Sequence, residues 1–417
     1  MRLLYSIGIF FYHAGIRLAA IGNHKAKLWV SGRRNLFTHL RNALGKDARP
    51  VIWFHCASLG EFEQGRPLIE RIKTQHPGYK ILLTLFSPSG YEVRKNYAAA
   101  DFVTYMPVDT TRAAKQFLDI VQPKIVVFVK YEFWLNHLAV LRKRNIPHYL
   151  VSAIFRDNQV FFKAYGGIFR AALQGYSHVF TQDQHSAGLL AKIGVKNVSV
   201  AGDTRFDRVA EIAAGAKDIP AAALFTAGSR LLVAGSTWKA DEDLLLPILK
   251  KHIQNGWRMI IAPHEISESR LQSIESALKA IGVSDTNVVR FSKGAIHLPA
   301  DVRVMIIDNI GMLSSLYRYG SVAYIGGGFG KNIHNTLEAA VYGIPVVFGP
   351  MYEKFNEALG LIACKGGFGV HSPRELEIAI DSLLGDENHR AVAGRNAGAF
   401  VKENTGATEK ILSVIQL

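Results

Sequence analysis

The stretch 324–350, YIGGGFGKNIHNTLEAAVYGIPVVFGP, constrains the fold more than any other part of the chain. Its apolar lead-in, 321–325, reads as a buried strand, 326–330 as a tight loop, 335–342 as a short helix and 344–348 as a second strand. Strand, glycine loop, helix and strand in that order make a parallel crossover unit, which needs a sheet covered on both faces. The loop places backbone N–H groups and a helix start where an anion can sit. The same residues also serve a plain turn, with Asn335 and Glu338 as an N-terminal capping pair, and both readings stand at this point.

The alternation extends along most of the chain. Strands are expected at 51–56, 80–85, 102–105, 125–129, 148–152, 179–181 and 198–201, with helices at 66–74, 112–121, 134–144 and 186–193 between them. A second series has strands at 231–234, 258–262 and 302–307, helices at 241–254 and 268–281, and further helices at 353–363, 373–384 and 387–403. Such alternation implies α/β domains built on doubly wound parallel sheets. With 417 residues the chain is too long for one ordinary core. The expected division is a basic segment 1–49, a Rossmann-like domain 50–210, an Ala/Gly-rich linker 211–229, a second Rossmann-like domain 230–400 and a C-terminal helix 401–417. Ligands in such sheets bind beyond the carboxyl ends of the strands, so two facing halves are expected to share a cleft.

The net charge of +15 is concentrated at one end: residues 1–49 hold nine Lys or Arg against the single acid Asp47. The run 3–22, LLYSIGIFFYHAGIRLAAIG, is long enough to span a bilayer, but His13 and Arg17 interrupt it, and a central Arg costs about 3 kcal/mol on insertion scales. A helix lying in the interface, with Lys25, Lys27, Arg33 and Arg34 against anionic headgroups, avoids burying that charge. Residues 1–34 are therefore expected to meet an anionic membrane surface. An ordinary amphipathic helix packed on the protein is the competing account. The rest of the chain has no basic–aromatic repeat, so no nucleic-acid partner is expected. Cys56 and Cys364 are far apart, which suggests neither a disulfide framework nor a zinc site.

Chemistry is sought just after each strand. The first half offers Ser58, Gly60 and Glu61, then Ser87 and Ser89, Tyr131 and Glu132, and Arg156; the second offers Ser236 and Thr237, His264 and Glu265, Asp308 to Gly311, and the glycine loop. Carboxylates on one side and hydroxyls, amides and helix ends on the other suit a base facing a phosphate-bearing ligand. Glu61 is the candidate general base, because desolvation beside a buried strand raises a carboxyl pKa towards neutrality. A first-turn acid favoured by the helix dipole explains it equally well. Asp241 and Asp243 superficially resemble a D-x-D metal pair, but acids opening a helix that ends in lysines read as dipole complements, and no metal is expected. Walker A and G-x-S-x-G patterns are absent.

Several segments together resemble the bacterial 3-deoxy-D-manno-octulosonic acid (Kdo) transferases of lipopolysaccharide synthesis. They are HCASLGEFEQGRPLI, YEFWLNHL and GDTRFDRV in the first half, then AGSTWKADED, IAPHE, DNIGML, HNTLEAAVYGIPVVFGP and FNEA in the second, in matching order from about residue 50 to 360. The resemblance implies a GT-B fold, Kdo transfer from CMP-Kdo to a lipid A precursor, no cofactor, and a place at the cytoplasmic face of the inner membrane of a Gram-negative bacterium. It implies Glu61 as catalytic base, with Ser58, Gly60, Glu132 and Arg205 on the acceptor side. For the CMP moiety it implies Ser236, Thr237, Pro263, His264, Asp308, Ile310, Gly311, Met312, Gly328, His334, Asn335 and Glu338, with Glu338 on the ribose and the N–H groups near His334 and Asn335 on the phosphate. The chain departs from the family pattern at Lys130, at Pro263-His264-Glu265, at Asn332-Ile333 and at Met312. A nucleotide-sugar epimerase of the same fold is the alternative.

Overall fold

Short runs of β-branched and aromatic residues, too apolar to face water on either side, become the strands of two all-parallel sheets. In the computed structural model, which describes residues 2–45, 47–294 and 298–417, one unit holds the chain up to Arg208 together with Gly406–Leu417, and the other holds Val209–Thr405. The first sheet contains β1 (Val51–Cys56), β2 (Lys80–Leu85), β3 (Phe102–Tyr105), β4 (Pro123–Val129), β5 (His148–Ala153), β6 (His178–Thr181) and β7 (Val198–Val200). Their order is β3-β2-β1-β4-β5-β6-β7. The second contains β8 (Leu231–Thr237), β9 (Arg258–Pro263), β10 (Val288–Arg290), β11 (Val304–Ile306), β12 (Val322–Ile325), β13 (Val346–Phe348) and β14 (Gly367–Gly369), ordered β10-β11-β9-β8-β12-β13-β14. Each sheet therefore reverses its winding direction once, between β1 and β4 in the first and between β8 and β12 in the second. β10 and β14 escape the sequence pattern because each is only three residues long and β14 is Gly-Phe-Gly.

The basic segment folds into three helices, α1 (Arg2–Ala19), α2 (His24–Ser31) and α3 (Leu36–Leu44). Leu36, Leu40 and Leu44 of α3 fall at a spacing of four and enter the core beside Phe117 and Leu118. α1 behaves differently. Tyr5 donates to Asp109 Oδ2 at 2.6 Å, yet Leu3, Leu4, Phe10, Phe11 and Leu18 stay exposed. Among the described residues no helix is long and apolar enough to cross a membrane.

Two boundaries differ from the sequence reading. Residues 211–229 are largely helical: the helix Thr204–Ala214 runs into this segment, and Pro220–Thr226 forms another with Pro at its first position, where a missing N–H costs nothing. Ile219 N–H also donates to Tyr319 Oη at 2.8 Å. The C-terminal run 401–417 is not one helix, because Glu387–Glu403 ends in the second unit and Ala407–Leu412 belongs to the first. Asp207 fastens the latter, accepting the N–H of Gly406 at 2.5 Å and the N–H and Oγ1–H of Thr408, both at 2.6 Å.

Candidate active site

In open α/β sheets ligands settle beyond the strand ends where the winding reverses. In the first unit those ends are Cys56 of β1 and Val129 of β4. The chain leaves β1 straight into α4 (Leu59–Gln75), which begins about seven residues earlier than the sequence pattern suggested because Ser58 caps it. Ser58 Oγ accepts the Glu61 N–H at 3.4 Å, and Glu61 Oε2 accepts the N–H of Ala57 at 2.6 Å and of Ser58 at 3.1 Å, a complete capping box. Glu61 thus lies in the first helical turn, not in a loop. Its Oε1 has no protein hydrogen-bond donor among the described residues.

After β4, Lys130 adopts a left-handed conformation, with φ 69°, and the chain turns to present Glu132. Glu132 is buried, its Oε2 lies 2.8 Å from His55 Nε2, and it accepts the indole N–H of Trp134. His55 Nδ1 lies 2.8 Å from Thr84 Oγ1, which accepts Trp53 Nε1–H at 2.8 Å. Three adjacent strands therefore fix one carboxylate. Burial and the Glu132 charge push the Glu61 carboxyl up to about 7, against the opposing pull of the Ala57 and Ser58 N–H groups and Lys130. The capping and base readings prove compatible: one oxygen completes the helix cap, and the other remains available to take a proton near neutral pH.

In the second unit the winding reverses between the ends of β8 and β12. Asp241 lies directly beneath, fully buried, accepting Tyr324 Oη–H and Gly327 N–H at 2.8 Å each and Trp238 N–H at 2.9 Å. It ties the glycine loop to the end of β8 and is structural. Asp243 faces solvent with Lys239 at 2.7 Å, so the two acids do not converge. Among the described residues no three His, Cys, Asp or Glu side chains form a group able to hold a metal ion. Gly327 takes φ 91°, and a Cβ on Gly328 would lie 2.6 Å from Gly349 Cα, so steric demand accounts for both glycines. Gly328 is thus set by packing.

Over this loop three rings stack: Trp238 on His264 and His264 on His334, each pair with centroids 4.5 Å apart and planes 25° and 26° from parallel. Trp238 Nε1–H donates to His334 Nε2 at 3.2 Å. Burial, then the neighbouring His264, lowers the His334 pKa, and Asp241 opposes them. The following helix is only Leu337–Ala340, shorter than the expected 335–342, and its capping pair is partial: Asn335 Oδ1 accepts Leu337 N–H at 3.1 Å while Asn335 Nδ2 donates to Glu338 Oε1 at 3.0 Å. The His334 N–H is already donated to Gly326 O at 3.2 Å. The N–H groups of Asn335 and Thr336 have no partner among the described residues, and neither has the buried Thr336 hydroxyl.

The remaining candidates are dispersed. Thr237 donates to Glu242 Oε1 at 2.7 Å, and Ser236 takes φ 53°. Pro263 closes β9 immediately before His264. Asp308 accepts Ser292 N–H at 3.0 Å, Ile310 is 87% exposed, Gly311 takes φ 95°, and Met312 Sδ accepts Asn309 Nδ2–H at 2.8 Å. Arg205 pairs with Asp203 at 2.6 Å, and Asp203 accepts Gln64 Nε2–H, one turn along α4 from Glu61. Gly60 is exposed at the α4 start. Sequence reasoning missed His55, hidden in an apolar strand, and Trp238, although an aromatic residue directly after the Ser-Thr strand end was a usable signal.

Residues 31–208 match the family described as 3-deoxy-D-manno-octulosonic-acid transferase (kdotransferase). Curated relatives of that name include proteins of Aquifex aeolicus (28% identical, covering 81% of this chain and 87% of the relative) and Rickettsia bellii (25%, 90% and 90%). A third, from Haemophilus influenzae, is 25% identical over 88% of this chain and 86% of its own length. Over 81–90% of its length the chain is similar to 3-deoxy-D-manno-octulosonic acid transferases. It is a glycosyltransferase. Solved structures resembling the transferase include the UDP-GlcNAc 2-epimerase of Neisseria meningitidis bound to UDP-GlcNAc, with TM-score 0.60, 14% identity, and 87% of this chain and 98% of that one covered. The enzyme of the same name from Methanocaldococcus jannaschii gives TM-score 0.51 at 16% identity, covering 85% and 98%. At such identities the likeness is one of fold, a pair of Rossmann-like domains as in GT-B enzymes.

Proposed function

We propose that this transferase moves Kdo from CMP-Kdo to a hydroxyl of a lipid A precursor, with inversion and without a metal, using Glu61 as general base. Glu61, held with one oxygen capped and its carboxyl near pKa 7 at the reversal point of the first sheet, is the observation that carries the reading. As the acceptor hydroxyl attacks the anomeric carbon of Kdo, its proton passes to Glu61 Oε1 while the bond to the CMP phosphate breaks; one displacement inverts the centre. Ser58, Gly60, Glu132 and Arg205 are assigned to the acceptor side.

For CMP we assign the second unit's reversal point. The N–H groups of Asn335 and Thr336 take the phosphate, and Glu338 the ribose. His264, His334, Ser236, Thr237, Pro263, Gly328 and the loop from Asp308 through Ile310, Gly311 and Met312 surround them. Negative charge on the departing nucleotide is met by fixed donors. Residues 1–34 rest on the anionic cytoplasmic surface of the inner membrane, a reading supported by the exposed apolar side chains of α1 and by the basic residues that follow them.

Mass spectrometry of the product formed from CMP-Kdo and a tetraacylated lipid A precursor tests the assignment, with and without EDTA. A mass gain of one or more Kdo residues, insensitive to EDTA, is expected. Conversion of a sugar nucleotide without any acceptor would instead support the epimerase reading that the fold alone allows.

A further inference from the structure

The first unit contains a second concave feature that the proposed chemistry leaves unused. Between α1, α2, α3 and the segment 107–113 lies a groove of about 700 Å³, the size of a small-molecule site. Arg17, Lys27, Arg34 and His13 line it together with apolar residues such as Ile21 and Phe37, and no Asp or Glu does. Among the described residues no carboxylate pairs with Arg17, Lys27 or Arg34.

Its floor is a half-buried cation. Arg33 donates to three backbone carbonyls, Met106 O at 2.9 Å, Trp29 O at 3.0 Å and Phe86 O at 3.1 Å, and lies 3.8 Å from the centroid of the Trp29 ring. Carbonyls and aromatic faces stabilise the guanidinium but supply no countercharge. Burial consequently pulls the Arg33 pKa down to about 9. His13 is lowered by burial, then by Arg17 and Arg33. The cations thus repel one another in a concave, partly apolar setting, and a bound anion would relieve that repulsion.

Through Arg33 the groove connects towards the Glu61 and Glu132 carboxylates. Met106 and Phe86 immediately follow β3 and β2, so Arg33 sits at the carboxyl end of the sheet, as Glu61 does. The Phe86 ring packs 4.8 Å from Trp134, whose indole N–H is donated to Glu132. Continuity with the carboxylate pair selects a ligand that reaches both places.

We propose that this groove is the anion subsite for the acceptor: a phosphate on the lipid's sugar headgroup sits among Arg17, Lys27 and Arg34, and the acyl portion leaves across Ile21 and the exposed apolar side of α1. This rests on the transferase reading and adds a specificity element to it. Bulk phospholipid headgroups share the same chemistry and are the competing source, which the test separates.

Using the full chain in detergent micelles, the variant R17A/K27A/R34A is compared with wild type on a phosphorylated acceptor and on the same glycolipid after enzymatic dephosphorylation. The expected result is a rise of about tenfold or more in KM for the phosphorylated acceptor, with KM for CMP-Kdo unmoved, and convergence of the two proteins on the dephosphorylated lipid. R17K/K27R/R34K should restore most of the loss. Equal losses on both acceptors would overturn the proposal. So would an unchanged KM in micelles accompanied by lost binding to phosphatidylglycerol vesicles, which would assign the groove to bulk lipid. If wild type transfers no Kdo at all, direct binding of the two glycolipids without CMP-Kdo still reads the groove: a preference for the phosphorylated form supports it, and no preference overturns it.

Discussion

Replacing Glu61 with glutamine separates the charge on this side chain from its shape. The amide would keep an oxygen to accept the Ala57 and Ser58 N–H groups, so the cap on α4 survives, but it cannot take a proton. Kdo transfer should fall about 10²- to 10⁴-fold, the usual contribution of a positioned base. Stability should move the other way. The Glu61 carboxyl rises from 4.5 to about 7, so between those values the folded chain holds a proton that the unfolded chain has released. Stability therefore declines as pH rises through that window, by up to about 3 kcal/mol, and the full cost is present above pH 7. Partial solvation of the side chain makes that figure an upper bound. Glu61→Gln should accordingly be more stable than wild type at pH 8 and about equal to it at pH 4. Turnover measured by product mass spectrometry, and denaturant unfolding at both pH values, check the two halves. Near-normal turnover would refute the base assignment, and a pH-independent stability difference would refute the electrostatic account.

The Glu132 charge helps to raise the Glu61 pKa, so Glu132→Gln should shift the acid limb of the kcat/KM profile to lower pH; an unmoved limb would show that burial alone sets it. Asp241→Asn turns an amide N–H₂ towards one of the buried donors now satisfied by the carboxylate. It should cost about 1–3 kcal/mol and raise KM for CMP-Kdo while leaving acceptor KM alone, as initial-rate kinetics would show. Gly328→Ala places a methyl group 2.6 Å from Gly349 Cα and should destabilise the second unit by about 1–3 kcal/mol. Hydrogen exchange confined to residues 209–405 would report it, and unchanged protection there would contradict the steric argument.

Local sequence determines much of this architecture. β1, β2 and β3 fall where the sequence places them, because the polar residues they carry, His55, Lys80, Thr84 and Thr104, are buried with the apolar ones and leave each run unbroken. α4 was less legible. Its first turn, Leu59-Gly60-Glu61-Phe62, lacks a clear apolar stripe, and the helix starts there because Ser58 and Glu61 cap each other. The exposed apolar side of α1 reverses the usual amphipathic rule, which reads which residues are apolar but not which way they face.

Both candidate half-sites use one device, and it explains why their acids looked ambiguous in the sequence. Glu61 satisfies the N–H groups of Ala57 and Ser58 at the end of β1; Asp241 satisfies those of Trp238 and Gly327 at the ends of β8 and β12. In each case an acid near a helix start ties down the chain where the winding of a sheet reverses, so a capping role and a place in the site are not alternatives. What separates the two is the second oxygen. Asp241 spends it on Tyr324 and becomes scaffold, whereas Glu61 leaves it without a protein donor beside the negative charge of Glu132, which is the condition a general base requires.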